Sequence, residues 1–148
     1  MSPSPPADTQ LGERLASLGR RIGEREASHA GEIAAARREA EGLRDEIARA
    51  LERFHGAAAS AGAPHLRVSL GDVRTDDKHL RAVEFDLIRG RHKAIVTAKS
   101  RGEVTLVGPF RMGKEEGPCR SFPFGAREEI SKALAEFLEQ FLEEASTP

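Results

Sequence analysis

The stretch Val83–Val107, VEFDLIRGRHKAIVTAKSRGEVTLV, decides the fold, because it reads as three strands joined by two tight turns. Gly90-Arg91 forms a two-residue loop with glycine first, as a type II′ turn prefers, since that turn's twist matches the twist of the flanking strands. This register sets Leu87 opposite Ala94, Phe85 opposite Val96 and Val83 opposite Ala98 on one face. A three-residue loop, Ser100-Arg101-Gly102, then sets Lys99 opposite Glu103, Ala98 opposite Val104, Thr97 opposite Thr105 and Val96 opposite Leu106. One face is apolar across all three strands, so a slip of one residue would turn the whole apolar set to water.

Working outward, Leu66, Val68 and Leu70 alternate with Arg67 and Ser69 and predict a further strand, closed by the polar turn Thr75–Lys78. On the other side, the loop 111–118 leads to Phe122 and Phe124 around Pro123, whose missing N–H confines that piece to a sheet edge. A final helix from about Ala126 to Ala145 gathers Ile130, Leu134, Phe137, Leu138, Phe141 and Leu142 on one side. Glu129, Glu136, Glu139, Gln140 and Glu143 take the other, and so wide an apolar face is suited to covering a sheet.

Residues 1–9 are rich in Pro and Ser and are expected to be a disordered tail. From there the period changes. Leu11, Leu15, Leu18 and Ile22 recur at steps of four, three and four, and Ile33, Ala36, Ala40, Leu43, Ile47, Ala50 and Phe54 keep the alternation. Between the two runs the seam needs two consecutive steps of four, Leu18 to Ile22 to Glu26, and then passes on to His29, the mark of a stutter. Ala61-Gly62-Ala63-Pro64 ends the helix. A helix from 11 to 59 is on the order of 70 Å long, more than twice the width of a small domain. Its stripe outreaches its own body, which predicts burial by a second copy or another protein in a coiled coil. A helical hairpin folded near Ser28–Gly31 is the alternative, but no Pro, Asn or Asp punctuates that region.

The expected architecture is therefore α+β: a long, coiled-coil-like N-terminal helix, an antiparallel meander of four to five strands, and a C-terminal amphipathic helix on one sheet face. Its expected divisions are a tail over 1–9, a helical arm over 10–62, and a sheet-and-helix domain over 63–148.

The formal net charge of −1 hides an uneven spread. Residues 64–124 carry twelve basic and eight acidic side chains, whereas 125–148 carry two and six, so the sheet and the last helix attract each other. That balance argues against a strongly basic nucleic-acid footprint. Cys119 is the one cysteine, so no internal disulfide forms. No apolar run approaches the roughly 18 residues that span a bilayer, and the N-terminus lacks a basic and apolar leader, which together predict a cytoplasmic protein with no membrane partner.

The same residues bear on several chemistries. Gly108-Pro-Phe-Arg-Met-Gly113-Lys114 matches the first seven positions of a phosphate-binding P-loop, but Glu115 stands where Ser or Thr must hold the metal, and Gly117-Pro118 cannot open a helix. Arg111, Lys114 and Cys119 remain a possible ligand loop, with the thiol as a candidate nucleophile if those cations lower its pKa. Arg89, Arg91 and Lys93 at the hairpin tip are possible phosphate contacts. Without Trp or Tyr in the chain, base stacking on them is disfavoured. The histidines at 29, 55, 65, 79 and 92 show no metal-ligand spacing, although His55 with His65 and His79 with Asp76 and Asp77 lie near in sequence. Glu84 and Asp86 share a strand face, where charge pairs with Lys93 and Lys99 account for them.

The residues thus predict no catalytic set, no metal and no cofactor. They predict a non-enzymatic interaction or scaffold module that self-associates through Leu15, Leu18, Ile22, Ile33, Leu43 and Ile47 of the helix. A small-ligand or thiol-dependent domain using the 108–119 loop is the first alternative, and weak phosphate or nucleic-acid binding by the 89–93 hairpin the second.

Overall fold

The computed structural model describes residues 6–76, 81–113 and 117–147. Its first element, α1 (Ala7–Ser60), is one unbroken helix, about 80 Å long at 1.5 Å per residue, so the hairpin alternative does not hold. Pro6 sets φ to −54° at the cap and its carbonyl accepts the Gln10 N–H at 3.0 Å, the first helical bond. Asp8 adds an acid where the helix dipole is positive. Residues 7–9, expected in the tail, are for these reasons the first turn of α1.

Six strands follow: β1 (Ser69–Leu70), β2 (Arg74–Thr75), β3 (Ala82–Arg89), β4 (His92–Lys99), β5 (Glu103–Arg111) and β6 (Cys119–Pro123). They form one antiparallel sheet in the order β1-β3-β4-β5-β6, with β2 also on β3, and α2 (Arg127–Ser146) closes the chain. The α+β architecture is as the residues predict, and so is the meander register. Leu87 faces Ala94, Phe85 faces Val96, Thr97 faces Thr105 and Lys99 faces Glu103. Gly90 has φ of 59° while Arg91 stays negative, the combination a type II′ turn requires.

The outer edge beside β3 is broken. Leu70 pairs with Leu87 and Arg74 with Glu84, so residues 71–73 oppose only Phe85 and Asp86, a β-bulge. The Gly71 N–H donates to the Asp86 carbonyl at 2.8 Å, and a Cβ at Gly71 would lie 2.2 Å from Asp86 Oδ1. Arg44 of α1 reaches this gap, donating from Nε to the Gly71 carbonyl at 2.7 Å and from Nη2 to the Leu70 carbonyl at 3.3 Å. Arg37 donates to Thr75 Oγ1 at 2.8 Å. The helix therefore satisfies carbonyls that an interrupted strand leaves unpaired.

Both helices lie on the same sheet face. α1 rests on β3 and β4, and α2 on β4 and β5. Val83, Phe85, Leu87, Ala94, Val96, Ala98, Val104 and Leu106 from the sheet meet Ala36, Ala40, Leu43, Ile47 and Leu51 from α1, and Ile130, Leu134, Phe137 and Phe141 from α2. Ala36 and Ala40 are fully buried, and such small side chains let the helix axis come close to the strands. The expected boundary at 62/63 accordingly does not bound the packed body, which takes in α1 from about Ile33 onward.

Candidate functional site

Residues 6–28 are exposed throughout and form an arm that extends beyond the sheet. Leu11, Leu15, Leu18 and Ile22 keep 58%, 56%, 40% and 41% of their surface in solvent and are four of the five exposed large hydrophobic side chains among the described residues. In an unbroken helix at about 100° per residue, these four and the buried Ala36, Ala40, Leu43 and Ile47 share an arc about 80° wide. The arm's stripe is thus the overhanging continuation of the stripe that seats on the sheet. Ile33 is half-buried at the junction, beside a contact of 3.8 Å between His29 Nδ1 and Glu32 Oε2.

This geometry divides the six predicted interaction residues. Leu15, Leu18 and Ile22 are exposed. Leu43 and Ile47 are 2% and 1% exposed within the chain's own core, so they cannot also serve one. Ile33 packs partly against the same core. The correction has a simple cause: helical spacing marks an apolar face but not what covers it, and the sheet covers half of this one.

The 108–119 segment is strand and turn. Gly108 has φ of 103° at a second bulge, where Lys93 pairs with Phe110 and Ile95 with Val107. A Cβ there would sit 3.1 Å from the Lys93 carbonyl oxygen, so glycine serves the sheet at this point. Its N–H donates to the Pro118 carbonyl at 2.7 Å and the Met112 N–H to the Arg91 carbonyl at 2.8 Å, so these two amides are spent within the fold. Arg111 is exposed at the end of β5 and Cys119 is exposed at the start of β6, opposite Val107. Lys114 lies outside the described residues.

Two of the three hairpin cations are engaged. Arg89 donates from Nε to the Ala145 carbonyl at 3.1 Å and from Nη1 to the His65 carbonyl at 3.3 Å. It thereby places a positive charge at the C-terminus of α2, whose last turn has no basic residue of its own. Lys93 Nζ lies 3.5 Å from Asp86 Oδ2, which Arg74 also approaches at 3.4 Å, while Arg74 meets Glu84 at 3.1 Å. Arg91 is exposed. The charge-pair reading of Glu84 and Asp86 holds for Asp86 with Lys93, and no local pattern marks the roles of Arg74 and Arg89, because the groups they meet lie 10 to 56 residues away in sequence.

His55 is buried, and Nε2 accepts the Val68 N–H, so that lone pair is not available to a metal. Among the described residues no group of three His, Cys, Asp or Glu side chains is placed to hold a metal ion. His79 and Asp77 lie outside the described residues. Among the helices described, none is long and apolar enough to cross a membrane. No family model, curated protein or solved structure matches this chain.

Proposed function

We propose that the protein is a non-enzymatic interaction module that self-associates through residues 7–28 of its N-terminal helix and presents the α+β body to its surroundings. One observation carries this reading: four large apolar side chains at heptad spacing stand half-exposed on an arm that its own body does not cover. A solvated helix needs no such stripe.

Magnitudes set the strength of the association. Burying the remaining half of eight Leu and Ile side chains, four from each copy, is worth roughly 8–12 kcal/mol. Against the lowest association cost of about 4 kcal/mol, this leaves a dissociation constant between about 1 μM and 1 mM. Sedimentation equilibrium over that range tests the reading. The wild-type mass is expected to rise with concentration, and Leu15→Glu with Leu18→Glu is expected to stay monomeric, with an unchanged melting temperature when both are compared at concentrations where the wild type is also monomeric, since neither residue touches the core. A wild-type chain that remains monomeric at 1 mM overturns it.

A further inference from the structure

We infer that two arms pair antiparallel, with Leu11 against the partner's Ile22, Leu15 against the partner's Leu18, and Asp8 against the partner's Arg25. The inference rests on the self-association reading and adds its direction and register.

Three features point to this arrangement. The first is steric. The arm's stripe faces the same side of α1 as the sheet-covered stripe, so a helix running parallel along it would meet the body's own sheet beneath residues 33–55. A helix running the other way begins near residue 26 of the first copy and leads away from the body. Only the antiparallel direction leaves the seam open.

The second is spacing. Up to the stutter, where the seam shifts by one residue to Glu26, Asp8, Leu11, Leu15, Leu18, Ile22 and Arg25 follow one another at steps of three, four, three, four and three. The series reads the same in both directions, so reversing one helix still places a seam side chain opposite every other.

Charge is the third. In a parallel pair Asp8 would meet the partner's Asp8, and Arg25 would meet the partner's Arg25, each a like-charge layer. Reversal turns both layers into Asp–Arg pairs that close the apolar seam at its two ends. On one flank Gly12 and Gly19 carry no side chain, which lets the backbones approach. On the other flank Arg14 lies near the partner's Arg21, and those long side chains turn outward into water.

The bodies then stand at opposite poles. Residue 45, midway along the sheet-covered half, lies about 43 Å from the seam's centre, so the two body centres are about 85 Å apart. The dimer is a bipolar rod that offers the same body surface at each end.

Charge reversal tests the pairing in the full chain. Asp8→Arg alone and Arg25→Asp alone should each weaken the dimer about five-fold or more, because each creates two like-charge contacts per dimer. The double variant should return to within about two-fold of wild type. Disulfide trapping in a Cys119→Ser background tests the direction. Leu11→Cys and Ile22→Cys should cross-link when mixed and not when alone, because Cα atoms more than about 7 Å apart are not bridged. Self-cross-linking of either variant, no cross-link in the mixture, or a double reversal that fails to restore affinity overturns the antiparallel register while self-association stands. A wild-type chain monomeric at 1 mM overturns both.

Discussion

Nε2 of His55, on the buried face of α1, accepts the backbone N–H of Val68 at 3.0 Å and so ties the helix to the residue before β1. The ring is neutral, with its proton at Nδ1, an atom that has no partner among the described residues. Burial, helped by the Arg67 charge and opposed by Glu52, holds its pKa below the ordinary value of 6.5.

The sign of the pH dependence follows. Below about pH 6.5 the unfolded chain takes up a proton that the folded chain refuses, so stability falls as the pH drops from 7 toward 5 and is level above 7 for this group. His55→Leu should cost about 1–3 kcal/mol at pH 7, because the Val68 N–H loses its acceptor, and should flatten the slope between pH 7 and 5.5. Thermal melts of both chains at the two pH values check this. An identical slope removes His55 as the cause.

Arg89 reaches the last turn of α2 across 56 residues of sequence. Arg89→Ala should lower stability by about 1–2 kcal/mol through the lost helix-end charge and carbonyl contacts, whereas Arg91→Ala at the exposed tip should change it by less than about 0.5 kcal/mol. Denaturant titration separates them. Equal effects would mean that the contact with Ala145 contributes nothing.

Gly71→Ala should cost about 1–3 kcal/mol, because the new methyl meets the Asp86 carboxylate that Arg74 and Lys93 hold in place. In an Asp86→Ala background the same change should cost less, and the double-mutant cycle measures the difference. A cost that is the same in both backgrounds would show that the clash is not the cause.

These sites differ in how far residues alone reveal them. The meander was legible because strict alternation from Val83 to Val107 and the Gly90 turn admit one register. The helical period of residues 11–59 was legible too, since it persists through Gly31 and Gly42, but it left a hairpin near Ser28–Gly31 open, which the unbroken α1 settles. The division of α1 was not legible, because Leu43 and Ile47 repeat at the same kind of spacing as Leu15 and Leu18. Ala36 and Ala40 held a usable signal: two small residues in the stripe mark where another surface approaches the helix closely. The broken edge at residues 71–73 depends on a glycine fitting against Asp86, and Arg89 depends on where α2 ends. Neither relation has a local pattern.

Small-angle X-ray scattering across a dilution series tests most directly whether a second copy covers the arm's stripe. From about 1 μM to 1 mM, forward scattering per unit mass should rise toward double, and the maximum dimension should grow from about 80 Å to about 130 Å as two helices overlap along their arms. Constant forward scattering per unit mass with a dimension fixed near 80 Å would contradict the claim.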